Sequence, residues 1–434
     1  MLERKIVKDL AEWKSNPNKM CLMVKGARQV GKTFSIEKFA HENYKHVICI
    51  NFDENEAYKE IFEGGLDSNT ILKQITLYFP EAEFIPDETV IFLDEIQNCP
   101  RAISALKFLA ADKRFDVISS GSLLGIAYKN KKMPSVPVGY VDYLEMHSLD
   151  FEEFLWANKI KKETVADIKG FYDSRTPVLS AMHTKMFELF KEYIVVGGMP
   201  RVVQDFVENH NFGNVLRIQR GIIEDYKKDI VRYAEGAEKT KVTACFMSIP
   251  NQLAKKYKKF QYSVVDKNGS SRKYEGSLMW LIDAGIVSKC HNLNIPELPL
   301  AGNAKDDEFK IYMRDTGLLV SMLEDGSQKN IINGDLGIYK GAIFENIIAD
   351  VFKKLGKDLF YYGRTNSFEI DFVIRMNGLA TAVEVKSAAN TKAWSISTLV
   401  NHYGVKKALK LSARNIGGDE TILSLPLYMA MFLE

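Results

Sequence analysis

The sequence predicts a multidomain α/β protein that opens with a parallel sheet covered by helices. Three observations carry that expectation. The chain has 434 residues, too many for one hydrophobic core, since cores stop growing near ~250 to 300 residues. Over roughly the first 150 residues, short apolar runs alternate with helical patterns, the signature of parallel strands joined by crossover helices. Finally, "GARQVGKT", Gly26 to Thr33, sets glycine, four residues, then Gly-Lys-Thr between an apolar run and a helical one, the spacing with which a backbone loop cradles phosphates.

Composition narrows the classes. Hydrophobic residues make up 46% and charged residues 26%, with only 12 prolines, which excludes a chain dominated by disorder. The five cysteines, Cys21, Cys49, Cys99, Cys245 and Cys290, are odd in number, far apart and set in stretches such as "KMCLMV". They are expected as reduced, buried thiols and not as a disulfide framework or zinc site. The opening "MLERKIVKDLAEWKSNPNK" mixes both charges with apolar residues at helical spacing, unlike a leader, and no apolar run reaches the ~18 residues that span a bilayer. A cytoplasmic protein with no membrane partner is the expectation. With a net charge of +2, any nucleic-acid surface must be a local patch.

Strands are predicted at "MCLMVK", "HVICINF", "TVIFLD", "FDVISSG" and "GYVDYLEM", with helices around Thr33 to Asn43, Asn69 to Phe79 and Ala102 to Ala111. From Phe151 to Ala234 the pattern is wholly helical, broken by "VVGGMP" at Val195 to Pro200, and the charged "YAEGAEKTK" marks a boundary. Val242 to Leu323 reads as helices followed by short strands, and a last α/β unit begins near Gly334. The expected domains are therefore 1–150, 151–240, 241–330 and 331–434. The lysine-bearing stretch from Tyr128 to Pro137 is expected as a surface loop.

In the phosphate loop, Gly26, Ala27, Arg28, Gln29, Val30 and Gly31 would turn backbone N–H groups toward the phosphates, and the helix that follows, from Lys32 through Phe34, would point its positive end at them. Lys32 would reach the β- and γ-phosphates, and the Thr33 hydroxyl would ligate magnesium. "TVIFLDEIQ" ends an apolar strand in Asp94-Glu95, at the carboxyl edge where open α/β sheets bind ligands. Asp94 would hold the magnesium ion of ATP through water, and Glu95 would act as general base. "FDVISSGS" ends in Ser119, Ser120, Gly121 and Ser122, whose hydroxyls are either γ-phosphate contacts or ordinary turn serines.

Gly26 to Thr33, "IFLDEIQ", "SSGSLL", "YLEMHSLDFEEF" and "GGMP" together resemble the bacterial and archaeal AAA+ ATPases that carry a C-terminal domain of unknown function. The resemblance spans nearly the whole chain. It implies a P-loop ATPase core over 1–150, a helical lid over 151–240, a winged-helix segment over 241–330 and a nuclease-like domain over 331–434, with ATP and Mg2+ as cofactors. One departure is Gly139-Tyr140, where relatives often carry an arginine after the glycine; Arg101, Arg114 and Arg201 are the remaining candidates for an arginine finger.

Between Ser248 and Lys273, seven basic residues stand against one acid, Asp266. Lys255, Lys256, Lys258, Lys259, Arg272 and Lys273, interleaved with Tyr257, Phe260 and Tyr262, are the expected contacts to double-stranded DNA, supplying affinity without sequence choice. Leu278, Leu281 and Ile282, with Gly285 ending the helix, predict a packed helix leading into a β-wing. The plainer alternative is a solvated charged face.

"FEIDFVIRMNGLATAVEVKSA" holds Asn377-Gly378 between two alternating runs, a two-residue hairpin turn. Its register sets Met376 against Leu379, Phe372 against Val383, Glu369 against Lys386, and Asp371 against Glu384. Opposed carboxylates repel, and a divalent cation between them reverses the sign. Asp371 with Glu384-Val385-Lys386 resembles the PD-(D/E)xK, restriction-endonuclease-like nucleases. That resemblance implies Asp371, Glu384 and the helical Glu345 as metal ligands and Lys386 as the catalytic lysine. Glu369 with Lys386 as a simple ion pair is the alternative.

Two functions follow as expectations. One is an ATPase that couples hydrolysis to DNA binding or processing. The other is a nucleotide-dependent switch or scaffold with a protein partner and an inactive nuclease-like domain. Either allows a homo-oligomer.

Overall fold

The computed structural model describes residues 2–121, 137–234, 236–255, 258–334, 340–365, 368–386 and 405–433. Ser122, Lys256, Tyr257 and most of the lysine-bearing stretch at 128–137 lie outside the described residues. Two compact units emerge: Arg4–Ser148, and Leu149–Glu434 together with Met1–Glu3.

The first unit begins with α1 (Ile6–Ser15), which buries Ile6, Leu10 and Trp13 on one face. Then follow β1 (Cys21–Lys25), α2 (Lys32–Asn43), β2 (His46–Asn51), α3 (Ser68–Tyr78), β3 (Thr89–Asp94), α4 (Pro100–Asp112), β4 (Asp116–Gly121) and β5 (Val141–Glu145). All five expected strands are present. They form one parallel sheet in the order β2-β3-β4-β1-β5. β3 is buried at all six positions, as a central parallel strand covered on both faces must be. Asp67 caps α3 by accepting from Thr70 N at 3.0 Å, and α4 opens on Pro100, whose missing N–H costs nothing there. Because β4 lies between β1 and β3, the phosphate loop and the Asp94-Glu95 edge flank it at the same end of the sheet.

The second unit begins with five helices, α5 (Phe151–Ala157), α6 (Lys162–Ser174), α7 (Ser180–Val196), α8 (Pro200–Asn209) and α9 (Phe212–Tyr233). Asp150 and Glu153 form a reciprocal capping box at the start of α5, at 2.8 and 3.0 Å. The "GGMP" break separates α7 from α8 and explains its two glycines. Leu149 N donates to Gly198 O at 2.7 Å, and a Cβ on Gly198 would lie 2.0 Å from Leu149 O. Asp315 accepts from Gly198 N at 2.8 Å and from Leu318 N at 3.0 Å. Two motifs fifty residues apart in the chain thus meet at one backbone junction.

Next come α10 (Glu238–Leu253), α11 (Tyr262–Val265), α12 (Ser271–Asp283), β6 (Val287–Leu293), β7 (Ala304–Met313), α13 (Thr316–Ser321), α14 (Ser327–Asn333), α15 (Lys340–Lys354), β8 (Leu359–Thr365), β9 (Phe368–Met376), β10 (Leu379–Val385), β11 (Lys407–Ser412), β12 (Gly417–Gly418) and β13 (Ile422–Pro426). Gly285, at φ 70°, follows α12 as expected. The β6–β7 hairpin is not a separate wing, however. β6 pairs in parallel with β8, Cys290 against Leu359 and His291 against Phe360. The resulting sheet runs β12-β13-β11-β10-β9-β8-β6-β7, across the boundary expected at residue 330.

Asn377 and Gly378 both have positive φ, 49° and 75°, the two-residue turn their sequence calls for. The expected register holds from Met376–Leu379 to Phe372–Val383. It goes no further: Asp371 accepts a hydrogen bond from Val385 N at 2.7 Å, and the Lys386 N–H turns away to Leu411 O on β11 at 2.8 Å. All five cysteines are free, four of them buried, and no helix among the described residues is long and apolar enough to cross a membrane.

Candidate nucleotide site and C-terminal charge cluster

β1 delivers the chain into the loop at Gly26, where a Cβ would lie 2.2 Å from Met146 O, so only glycine fits beside the strand's neighbour. Gln29 and Gly31 take positive φ, 65° and 94°, and Gly31 caps α2. Arg4 braces the loop from outside its motif, donating to Val30 O at 2.9 Å and to His147 O at 2.6 Å. Val30 is buried, Phe34 is half exposed on the first turn of α2, and Arg28 lies 3.8 Å from Asp53.

Lys32 is buried, and its ammonium donates to the Gly26 and Ala27 carbonyls at 3.1 and 3.0 Å. Burial pulls its pKa down, against the opposing pull of Glu95 and Asp94. The ammonium is thus held inside the loop by neutral carbonyls, weak partners that an anionic ligand would outcompete.

Asp94 is the hub of the site and only 1% exposed. Its Oδ2 accepts from the Thr33 hydroxyl at 2.9 Å and from the Asn51 amide at 3.1 Å, and its Oδ1 accepts from the Ser120 hydroxyl. Register explains the meeting: Asn51 stands opposite Asp94 on β2, and β4 brings Ser120 up on the other side. Ser119 is not part of the constellation, since its hydroxyl donates to Leu22 O at 3.0 Å. Glu95 sits at φ 51°, and its carboxylate accepts from the buried Gln97 amide, whose own Oε1 has no partner. Of the arginine-finger candidates, Arg101 donates to the Phe62 and Gly64 carbonyls and Arg114 to Asp112 and Asn69.

The loop and Asp94, both expected from their motifs, meet at the Thr33–Asp94 hydrogen bond; Arg4, Asn51 and Gln97, which brace the loop and the two acids, were not among the expected residues. An amide two residues after the acid pair was visible in "DEIQ"; Arg4 and Asn51 leave no spacing signal.

Residues 18–155 match the AAA domain family. The first unit is an AAA domain. Beyond it, residues 187–329 match "Domain of unknown function (DUF8612)" and residues 340–428 "Domain of unknown function (DUF4143)". The comparison with curated proteins yields no match. Among solved structures, the chain is similar to the Walker-type ATPase PABY2304 of Pyrococcus abyssi, with 13% identity, TM-score 0.45, and 74% of this chain and 96% of that one covered. It is also similar to the ORC1 protein of Aeropyrum pernix in complex with DNA, at 12% identity, TM-score 0.33, covering 77% and 93%, and to AMPPCP-bound DnaA from Aquifex aeolicus, at 14%, 0.28, 64% and 86%.

Away from the AAA domain, the second unit gathers charges between α15 and its sheet. Glu345 on α15 is buried and bound by the Lys258 ammonium, by Lys310 at 3.7 Å and by the Tyr312 hydroxyl at 3.1 Å. Burial alone would raise its pKa, but Lys258 and Lys310 hold it down to about 2. Lys310, fully buried, also bonds Glu369 at 2.6 Å. Lys386 pairs with Glu384 and not with Glu369, because β10 has turned toward β11 by then. Lys410 on β11 is the register partner of Glu384. Burial and the nearby Glu345 push the Asp371 pKa well up.

Glu345, Asp371 and Glu384 therefore sit among lysines, and among the described residues no group of three or more acids, histidines or cysteines stands where it could hold a metal ion. The residues do not fit the metal site their motif implies. The basic stretch is likewise partnered: Lys255 donates to Gln261 at 3.0 Å, Lys259 pairs with Glu308 at 3.3 Å and Lys273 with Asp266 at 2.6 Å. Lys258 faces inward, with its side chain 13% exposed, which corrects the expectation of a DNA-facing lysine. Arg272 is exposed.

Proposed function

We propose that the AAA domain binds ATP with Mg2+ and hydrolyses it. The observation that carries this is the half-buried Thr33–Asp94 hydrogen bond at 2.9 Å, which joins the phosphate loop to the acid edge of β3. Two hard oxygen donors converge there beside a lysine held only by neutral carbonyls. Gly26 to Phe34 would wrap the triphosphate, Lys32 would swing from its two carbonyls to the β- and γ-phosphates, and Thr33 with Asp94 would hold the magnesium ion, which neutralises charge on the phosphate oxygens. Glu95 would take the proton of the attacking water, its carboxylate oriented by Gln97. Lys32→Ala is expected to abolish nucleotide retention. Glu95→Gln is expected to retain ATP while losing about 10²- to 10⁴-fold in turnover. ATP retention by Lys32→Ala would sink the proposal.

Between the two uses for that hydrolysis, the partnered charges favour the switch. Surface lysines already paired with Glu308 and Asp266 release less on meeting phosphate than free ones, and Lys258 is not on the surface. The expectation is an ATP turnover unchanged by double-stranded DNA and a protein partner whose binding follows nucleotide state. DNA stimulation that weakens steeply with salt would restore the DNA-processing reading.

A further inference from the structure

Hydrolysis at the phosphate loop calls for positive charge on the γ-phosphoryl group as it is transferred, and after Gly139 this chain has Tyr140 and no arginine to carry it. We propose that Arg28, on the phosphate loop itself, supplies that charge from within the same chain, as a catalytic residue that contacts the γ-phosphate during transfer. The inference rests on the ATPase reading above and assigns the arginine which that reading leaves open.

Four arginines lie between Arg4 and Ser148, and three of them are committed elsewhere. Arg4 donates to Val30 O and His147 O, Arg101 to the Phe62 and Gly64 carbonyls, and Arg114 to Asp112 and Asn69. Arg28 is the one whose own backbone belongs to the cradle. Ala27, the residue before it, gives its carbonyl to the Lys32 ammonium at 3.0 Å, so both cations start from one corner of the loop. Burial lowers the Lys32 pKa and the nearby Arg28 charge lowers it further, as expected of two cations that share one anion site. On its other side Arg28 lies 3.8 Å from Asp53. The Asp53 N–H donates to Asn51 Oδ1 at 2.9 Å, Asn51 donates to Asp94, and Asp94 accepts from Thr33 back on the loop. A closed circuit of contacts therefore ties the guanidinium to the pair proposed for magnesium.

An ion pair at 3.8 Å between side chains 34% and 37% exposed is weakly held in water. Two phosphate oxygens offer the guanidinium a charge-assisted, two-pronged bond instead. Arg28 would exchange Asp53 for the γ-phosphate. In the transfer, the water oxygen bonds to the γ-phosphorus as the bond to the β,γ-bridging oxygen breaks, that electron pair departs with ADP, and the water's proton passes to Glu95. Negative charge spreads over the equatorial γ-oxygens meanwhile, and a guanidinium placed there stabilises the transition state more than bound ATP.

The test uses the full chain as wild type, Arg28→Ala, Arg28→Lys and Glu95→Gln. Three quantities are measured: ATP affinity, single-turnover hydrolysis, and retention of ADP with aluminium fluoride, a mimic of the phosphoryl group in transfer. Arg28→Ala should hold ATP within a few-fold of wild type, lose about 10³-fold or more in turnover, and lose retention of the ADP–fluoride complex. Arg28→Lys, which keeps the charge without the fork, should show the same split at smaller amplitude. Mixing Arg28→Ala with Glu95→Gln should restore nothing, because each site depends on the arginine of its own loop. Unchanged turnover in Arg28→Ala, equal losses of ATP affinity and turnover, or recovery on mixing would each overturn the proposal. If Arg28→Ala does not melt cooperatively, Arg28→Lys decides by the same measurements. Absence of ATP binding by wild type would overturn the ATPase reading and this proposal with it, an outcome distinct from any loss confined to the Arg28 variants.

Discussion

Asp94 accepts from Thr33, Asn51 and Ser120, three side chains from three different elements. Together the three donors fix the rotamer of the carboxylate, so the magnesium ion proposed for the site would meet it without reorganisation. Asn51→Ala removes one donor and leaves the ligating oxygens in place. Nucleotide retention should survive while turnover falls by about tenfold, as measured by single-turnover hydrolysis. Gln97→Leu tests the second device. The substitution fills the same buried space but frees the Glu95 carboxylate, so kcat should fall by about ten- to a hundredfold with KM little changed. A matched rise in KM would instead assign Gln97 to packing. The acids were legible in the sequence because a strand that ends in two carboxylates breaks its own apolar pattern. Their orienting amides were not, because an asparagine at a strand end and a glutamine in a tight turn also fit a plain turn.

Among the elements, α15 carries two separate charge systems. Near its start is Glu345; at its end Asp350 and Lys354 pair at 2.9 Å, both buried, and Lys354 also reaches Leu149 O at 3.0 Å and the Tyr193 hydroxyl at 2.9 Å. Burial pushes the Asp350 pKa up to about 7, with Lys354 and Arg314 pulling it down and Asp315 adding to the rise. A carboxyl whose folded value is raised favours the fold most when it is protonated. The contribution is full below the unfolded value near 4 and is lost as pH rises toward 7, by roughly 1 to 4 kcal/mol. Asp350→Asn cannot titrate, so its melting temperature relative to wild type should improve between pH 4 and 7 and stay constant above. Gly198→Ala should be destabilising at any pH, by about 2 kcal/mol or more, because backbone and not a flexible side chain stands in the way of its Cβ. The strands and helices themselves were readable from periodicity and caps. Which sheet the β6–β7 hairpin joins was not, since the pairing of Cys290 with Leu359 is a contact across nearly seventy residues that no local pattern encodes. The hairpin register was likewise right as far as local turn geometry reaches, and it failed at Asp371, where a side chain replaces the ladder.

For the molecule as a whole, the switch reading demands that nucleotide bound by one unit be felt by the other, and differential scanning calorimetry can separate this from mere coexistence. The AAA domain and the second unit each bury a core of their own, so two unfolding transitions are expected. ATP with Mg2+ at a hundredfold its Kd adds about 2.7 kcal/mol to whatever binds it, which for a unit of this size is a rise of roughly 5 to 10 °C. Lys32→Ala should lose that rise, identifying the transition that belongs to the phosphate loop. Lys258→Gln should lower the other transition, because Glu345 loses a buried partner. With both transitions assigned, the decisive measurement is the response of the second one to ATP in wild type. A ligand shifts an equilibrium only by its differential affinity for the two states, so a switch requires the second transition to move with nucleotide, in either direction, and to stop moving in Lys32→Ala. If ATP moves the first transition by its full amount and leaves the second where it was, the two units are energetically independent, and hydrolysis in the AAA domain is not what governs the C-terminal half.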